Sequence, residues 1–463
     1  MRRRNVGTMV LAVCILATMP AGAAMTTEQR LRALEDLVRE QQQEIKQLRG
    51  ELRQQKATQQ EAERAEEPTK AEAAKAAEKK TASLPEWVNK FTPFGDVRIR
   101  QEGFYNQPRS KESGGSPTHG RNRTRFRWRV GLKYAYSDEL SATIRLASGN
   151  PDDPISTNET LDGSFSRKNV NLDWAYLTIA PGATFGMRPG LLTVNAGKFP
   201  NPMFRVGEMV FDDDLSPEGF NETVQLLDKP CGALDQVKLH AQQWTFKEVG
   251  NAEDGWMFGG QVNPTAHLGN VQLEAGLAQY WWLNSDFIAQ AANTNSTIRG
   301  FTTNRVDTVT VTAPDGKKTT SITGFTGAFN QTNFSLAATI PNAAGTMPLK
   351  FYGDYIYNWE APDSAAHGAL GGVRLGNPKE RGDWAAGLLY EYLERDAAIG
   401  AFAWSDFGNG GTNEQGPVIA LDYQLFKPLT LTARTYFTKF IDASDTIDNR
   451  MQVRLQLDAQ LRF

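Results

Sequence analysis

Cysteine is almost missing from this chain. Its 463 residues include only Cys14 and Cys231, and Cys14 lies in an apolar leader, so an internal disulfide is excluded from the exported part. Histidine is scarce too. His119, His240, His267 and His367 fall in no HExxH or Ser–His pattern. No Gly-rich phosphate loop follows a strand, and no zinc spacing occurs, so neither an enzyme nor a cofactor is expected. Asp212-Asp213-Asp214 supplies hard oxygen ligands, but without the spacing of a calcium loop. Long apolar runs are also lacking. After the N-terminus there is no stretch of about 20 apolar residues, so no membrane-crossing helix is expected. A membrane β-barrel would share the negative mean hydropathy of −0.47, because lumen-facing residues dilute lipid-facing ones. A positive surplus is missing as well. The formal charge is −3, or about −6 without Arg2, Arg3 and Arg4, which argues against nucleic acid as a partner.

What is present begins with a leader. Arg2–Arg4, the apolar stretch Val6–Met19 and the small-residue site Ala21-Gly22-Ala23 make residues 1–24 a secretory signal peptide. Residues 25–58 carry a heptad pattern. Leu31, Val38, Ile45 and Leu52 share one seam position, and Leu34, Gln41, Leu48 and Gln55 the other. This pattern predicts a coiled-coil helix that joins copies of the chain, with a homotrimer as the expected assembly. Residues 59–90 form an Ala/Glu/Lys-rich linker without an apolar stripe.

From residue 91 to 463 the texture is alternation. In Arg121–Tyr136, Arg121, Arg123, Arg125, Arg127, Arg129 and Lys133 share one parity, and Phe126, Trp128, Val130, Leu132, Tyr134 and Tyr136 the other. A strand puts these sets on opposite faces, which suits a barrel with lipid outside and water within. The competing reading is an edge strand of a soluble sandwich, but it leaves the leader unexplained. Similar segments recur. Val97 and Ile99 oppose Arg98 and Arg100; Leu172, Trp174 and Tyr176 oppose Asn171, Asp173 and Ala175; Trp384, Leu388, Tyr390 and Tyr392 share a parity. Tyr280, Trp281 and Trp282 read as an interfacial girdle, with a sugar-stacking platform as the alternative. The last segment alternates from Met451 to the terminal Phe463, which looks like an assembly signal. The expected fold is all-β, an antiparallel transmembrane barrel of about 16 strands, preceded by the α-helical coiled coil. Region 284–348 reads equally well as loops or as short strands.

Short turns belong in the periplasm and long loops outside. The turn 137–139 is short and the connection 106–120 is long, so the first strand runs outward. The third external loop is then expected over 199–233, with Cys231 on the outside as a passive loop cysteine.

The chain resembles the putative-porin family of Gram-negative outer membranes. The resemblance rests on Gly95-Asp96-Val97-Arg98-Ile99-Arg100, Arg121–Arg127, Asn171–Leu177, Gly197–Pro202, Asp212–Gly219, Arg381-Gly382-Asp383-Trp384 and Ser405–Gly410. It implies a β-barrel channel for small hydrophilic solutes in the outer membrane; lipid is an expected partner, and the terminal strand ending on Phe463 adds the outer-membrane assembly machinery. In porins of similar architecture the third external loop narrows the lumen. Here that loop is acidic, at Asp212, Asp213, Asp214 and Glu218, and faces a basic wall. The residues expected to line the pore are Arg98, Arg100, Arg121, Arg123, Arg125, Arg127, Arg129 and Arg145. At a tilt near 40°, Phe126 to Tyr134 spans about 21 Å of membrane depth. Arg125, Arg127 and Arg129 would then lie at membrane depth, and Arg121 and Arg123 in the vestibule. Two roles remain open for these cations. They form an anion-favouring wall, or they pair with carboxylates such as Glu102 and Asp173 and stiffen the barrel. A different function class, an envelope tether that uses the coiled coil, also remains open.

Overall fold

The computed structural model describes residues 86–110, 120–227, 229–293, 303–444 and 447–463, with isolated positions between 39 and 50. The chain divides into two compact units, Met1–Pro85 and Glu86–Phe463. In the first, Arg39, Gln42, Gln43, Lys46 and Gly50 are helical and exposed. The leader, the heptad seam and most of the linker lie outside the described residues, as does His119.

In the second unit a 3-10 turn at Glu86–Lys90 leads into the barrel. Its strands are β1 (Phe91–Tyr105), β2 (Arg121–Ser137), β3 (Leu140–Ser148), β4 (Val170–Ile179), β5 (Leu192–Lys198), β6 (Glu218–Gln225), β7 (Leu234–Lys247) and β8 (Gly255–Leu268). There follow β9 (Val271–Leu283), β10 (Asn330–Ala344), β11 (Met347–Asn358), β12 (His367–Leu375), β13 (Trp384–Leu393), β14 (Glu414–Phe426), β15 (Leu429–Phe440) and β16 (Gln452–Arg462). Each pairs antiparallel with the next, and β16 returns to β1, with Asp96 opposite Arg462 and Tyr105 opposite Val453. The sixteen-stranded sheet is therefore closed and keeps no free edge. Phe463 completes the seam through backbone hydrogen bonds with Gly95. A side chain at Gly95 would collide with the Arg129 carbonyl and the Phe463 ring, so glycine is what permits this closure.

The outer surface follows the expected banding. Leu277, Leu336, Leu388, Leu421 and Leu457 are exposed in mid-strand. Trp281, Tyr355, Trp359 and Tyr390 flank them toward the long loops, and Tyr136, Trp384, Tyr423 and Phe463 toward the short turns. The long connections share one end of the barrel. They include loop 2 (149–169), loop 3 (199–217), loop 5 (284–329) and loop 7 (394–413). The ambiguous region resolves into loop 5, β10 and β11. Loop 5 carries the short helix α1 (Asp286–Gln290) and a hairpin, Val306–Thr312 with Lys318–Phe325, outside the barrel sheet.

Three expectations need correction. Loop 3 ends at residue 217, because Glu218–Gln225 is a barrel strand; Glu218 therefore opens β6 and is not a loop residue. Cys231 consequently lies in the 226–233 turn, at the end opposite the long loops. Trp174 and Tyr176 face inward. A register shift between Arg145 and Leu146 leaves Asp173 as an extra residue in β4, and this bulge inverts the alternation beyond it. Leu172 and Leu177 thus both reach the exposed outer face.

Candidate functional site

The inward faces of β1 and β2 set an electrostatic problem. Their register puts Arg98 opposite Arg127 and Arg100 opposite Arg125, flanked by Asp96 opposite Arg129 and Glu102 opposite Arg123. Like charges side by side destabilise a sheet unless carboxylates compensate them. The compensation comes from other strands and from the loops. Arg100 donates to Asp458 of β16 at 2.8 Å and to Asp406 of loop 7 at 2.7 Å. Arg454, fully buried on β16, bonds Glu102 and Asp406, each at 2.7 Å, and the Asp406 carbonyl at 2.6 Å. Glu102 also pairs with Arg123. Asp96 accepts from Arg127 at 2.9 Å and from Arg129 at 2.7 Å. Asp173 holds Arg145, whose guanidinium lies 3.2 Å from the Trp174 ring centroid.

All eight arginines assigned to the pore are thus on the inner face, yet Arg100, Arg123, Arg125, Arg127 and Arg145 are buried. Arg98 and Arg129 are half-buried, and Arg121 is exposed at the loop end beside Phe104. Glu102 and Asp173 are the partners that the stiffening alternative named. Arg454, Asp406 and Asp458 were missed, although the polar parity of the last strand already contained Arg454 and Asp458.

Loop 3 turns into the barrel. It carries Phe199, Met203, Met209, Val210 and Phe211, all buried. Exposing such side chains costs roughly 1.5–3 kcal/mol each, so the loop seeks an apolar surface. The inner faces of β7 to β13 provide it with Trp244, Met257, Tyr280, Trp282, Ile356, Leu370 and Leu393. The Phe211 ring lies 5.3 Å from Tyr280 and 5.6 Å from Trp244. Tyr280 and Trp282 therefore belong to the interior, and of the aromatic triplet only Trp281 is exposed outward. Loop 7 joins the cluster through Ala397, Ala398, Ile399, Ala401 and Ala403. Asn304 of loop 5 holds it there, donating to the Ala398 carbonyl at 2.7 Å and accepting from Gly400 N–H at 2.7 Å.

The three aspartates of loop 3 have different partners. Asp212 ties loop 3 to loop 7: its backbone N–H donates to the Phe402 carbonyl at 2.9 Å, and its carboxylate accepts from Ser405 N–H at 2.8 Å. Burial and the nearby Asp214 charge push its carboxyl up to about 8. Asp213 is solvent-facing and pairs with Arg205 at 2.9 Å. Asp214 reaches the basic wall, 3.1 Å from Arg129 and 3.6 Å from Arg127, and accepts from the Thr157 hydroxyl at 2.9 Å. Burial raises its carboxyl, but the guanidiniums of Arg127, Arg129 and Arg98 outweigh that and hold it well below the usual carboxylate range.

Loops 3 and 7 border two cavities. An inner one of about 320 Å³ is lined by Arg205, Glu208 and Asp213 of loop 3, Trp404 of loop 7, and Tyr352, Arg374 and Arg434 of the wall. Glu208, Arg374 and Arg434 stood in no sequence motif. An outer one of about 980 Å³ lies toward the loop end, bordered by β7, β9 and loops 3, 5 and 7. Among the described residues no group of three or more His, Cys, Asp or Glu is placed to hold a metal.

No curated protein matches this sequence. Solved structures similar to the chain include OprB of Pseudomonas putida, at 12% identity and TM-score 0.49, covering 82% of this chain and 96% of that one. OmpT of Vibrio cholerae in its trimer form has 10% identity and TM-score 0.44, with 81% and 99% covered. An anion-selective porin from Comamonas acidovorans has 13% identity and TM-score 0.43, also with 81% and 99% covered. Residues 115–463 match the family described as "Putative porin", and the chain belongs to that family, a channel of the Gram-negative outer membrane.

Proposed function

We propose that this channel passes small hydrophilic solutes by passive diffusion, and that loops 3 and 7 set its size limit and charge preference. The observation that carries this reading is the inward seat of loop 3, with Phe211 against one wall and Asp214 against the other. Asp212, Asp213 and Asp214 have separate parts in it. Asp214 anchors the loop, Asp212 couples it to loop 7, and Asp213 meets solute beside Glu208 and Arg434. Glu218 pairs with Lys198 at 2.8 Å and is left out of the constriction. The basic wall keeps a surplus. Arg98, Arg100, Arg123, Arg125, Arg127, Arg129, Arg145 and Arg454 face Asp96, Glu102, Asp173, Asp214, Asp406 and Asp458. This surplus gives a weak preference for anions.

Transport rather than catalysis is the activity we infer. The chain assembles as a homotrimer through the heptads of residues 25–58 and the barrel wall, and Phe463 is read by the assembly machinery. Planar-bilayer recording under a salt gradient tests the central reading. Channels with a reversal potential on the anion side are expected. Absence of channels would overturn the porin reading, and cation selectivity would overturn the role given to the basic wall.

A further inference from the structure

The outer cavity stands apart from the rest of the lumen in its chemistry. Phe246 of β7, Trp282 of β9, Phe287 of α1 and Phe402 of loop 7 converge on it. Trp282 stacks on Phe402 at 5.6 Å and lies 5.7 Å from Phe246. A volume of about 980 Å³ suits a small organic solute.

Most of the polar groups around it are occupied, with the Trp244 indole N–H left unpartnered on its wall. Gln290 donates to the Thr323 carbonyl at 2.7 Å. Asn293 is bonded through both amide atoms to the Ile322 backbone. Ser216 accepts from Trp174 and donates to Asp173. Lys198 holds the Ser216 carbonyl and Glu218. A sugar needs a partner for each hydroxyl it buries, and these engaged groups do not offer them. A flat apolar ring needs only the aromatic wall. Lys247 and Glu248 stand exposed at the rim. Beyond loops 3 and 7 the inner cavity presents Arg205, Arg374 and Arg434 against Glu208 and Asp213, and Asp213 is already held by Arg205, so the cations outnumber the carboxylates there and favour an acid over an amine.

We propose that the outer cavity is a binding site for aromatic monocarboxylates, with the ring against Phe246, Trp282 and Phe402 and the carboxylate paired with Lys247. The proposal goes beyond passive diffusion by adding a saturable step ahead of the constriction.

The test uses the full chain in planar bilayers, with benzoate, acetate, benzylamine and benzyl alcohol as probes of the potassium chloride current. Benzoate is expected to depress the current at concentrations about tenfold below acetate. Phe402→Ala should weaken both benzoate and benzyl alcohol by about tenfold, and Lys247→Gln should weaken benzoate alone by about threefold. Each probe is scored against the same variant's probe-free chloride current, whose presence shows that the variant forms channels, which separates failure of this site from failure of the channel. Equal behaviour of benzoate and acetate in the unaltered protein would overturn the site. So would tighter retention of benzylamine than benzoate, or two variants that bind benzoate as the parent does.

Discussion

On β16 and β1 to β4 the inner face of the barrel carries guanidiniums and carboxylates; on β7 to β13 it carries Trp244, Met257, Tyr280, Trp282, Ile356, Leu370 and Leu393. Both regions receive the same two loops. The charged side holds them by named pairs, Asp214 to Arg129 and Asp406 to Arg100 and Arg454. The apolar side holds them by packing around Phe211 and the alanines of loop 7. Charge pairs are directional and fix which residue sits where. Apolar packing is not directional and supplies affinity without register. Together they place loop 3 at one position across the lumen.

Breaking the charged side at its most buried member should have the largest effect. Arg454→Ala leaves Glu102 and Asp406 short of a partner and is expected to cost about 4 kcal/mol, read as a lower thermal midpoint of the detergent-solubilised barrel. On the apolar side, Phe211→Ala should cost about 3 kcal/mol locally. That loss frees loop 3 and leaves the strand pairings in place, so current noise and conductance rise while the barrel midpoint changes little. A smaller change follows from Asp214→Asn. Arg127 and Arg129 lose a counter-charge, and the anion-to-cation permeability ratio is expected to rise about twofold to threefold.

The smallest effect is in pH, and its sign separates two neighbouring anchors of loop 3, Asp212 and Asp214. The Asp212 carboxyl is raised to about 8 in the folded protein, above its unfolded value. Its contribution is therefore present at low pH and lost as pH rises from the ordinary carboxylate range through about 8. The Asp214 carboxyl is lowered, so its contribution is present above the ordinary range and lost only in acid. Gating noise should increase as pH rises from the ordinary carboxylate range to about 8 and level off above it, and Asp212→Asn, neutral throughout, should remove that increase.

The sequence made the charged side legible and hid the apolar one. Period-two alternation from Arg121 to Tyr136 needs no tertiary information, and the cations fall on the inner face as it implies. Their partners are another matter. Asp406 and Asp458 lie 306 and 358 residues from Arg100 in the chain, and no local pattern links them. Trp174 and Tyr176 were misplaced because one bulged residue, Asp173, inverts the phase without leaving a compositional mark. Tyr280 and Trp282 look like girdle residues because an aromatic on an inward position has the same spacing as one facing lipid. Glu218–Gln225 passed for loop because that strand is short and polar, with Phe220 alone as a large apolar residue facing outward.

The central claim is that two unlike fastenings hold loop 3 across the lumen, and single-channel conductance reads it most directly. Recorded in planar bilayers, Phe211→Ala and Asp214→Asn should each raise conductance, and the double variant should exceed either. Conductance unchanged in all three would contradict the account.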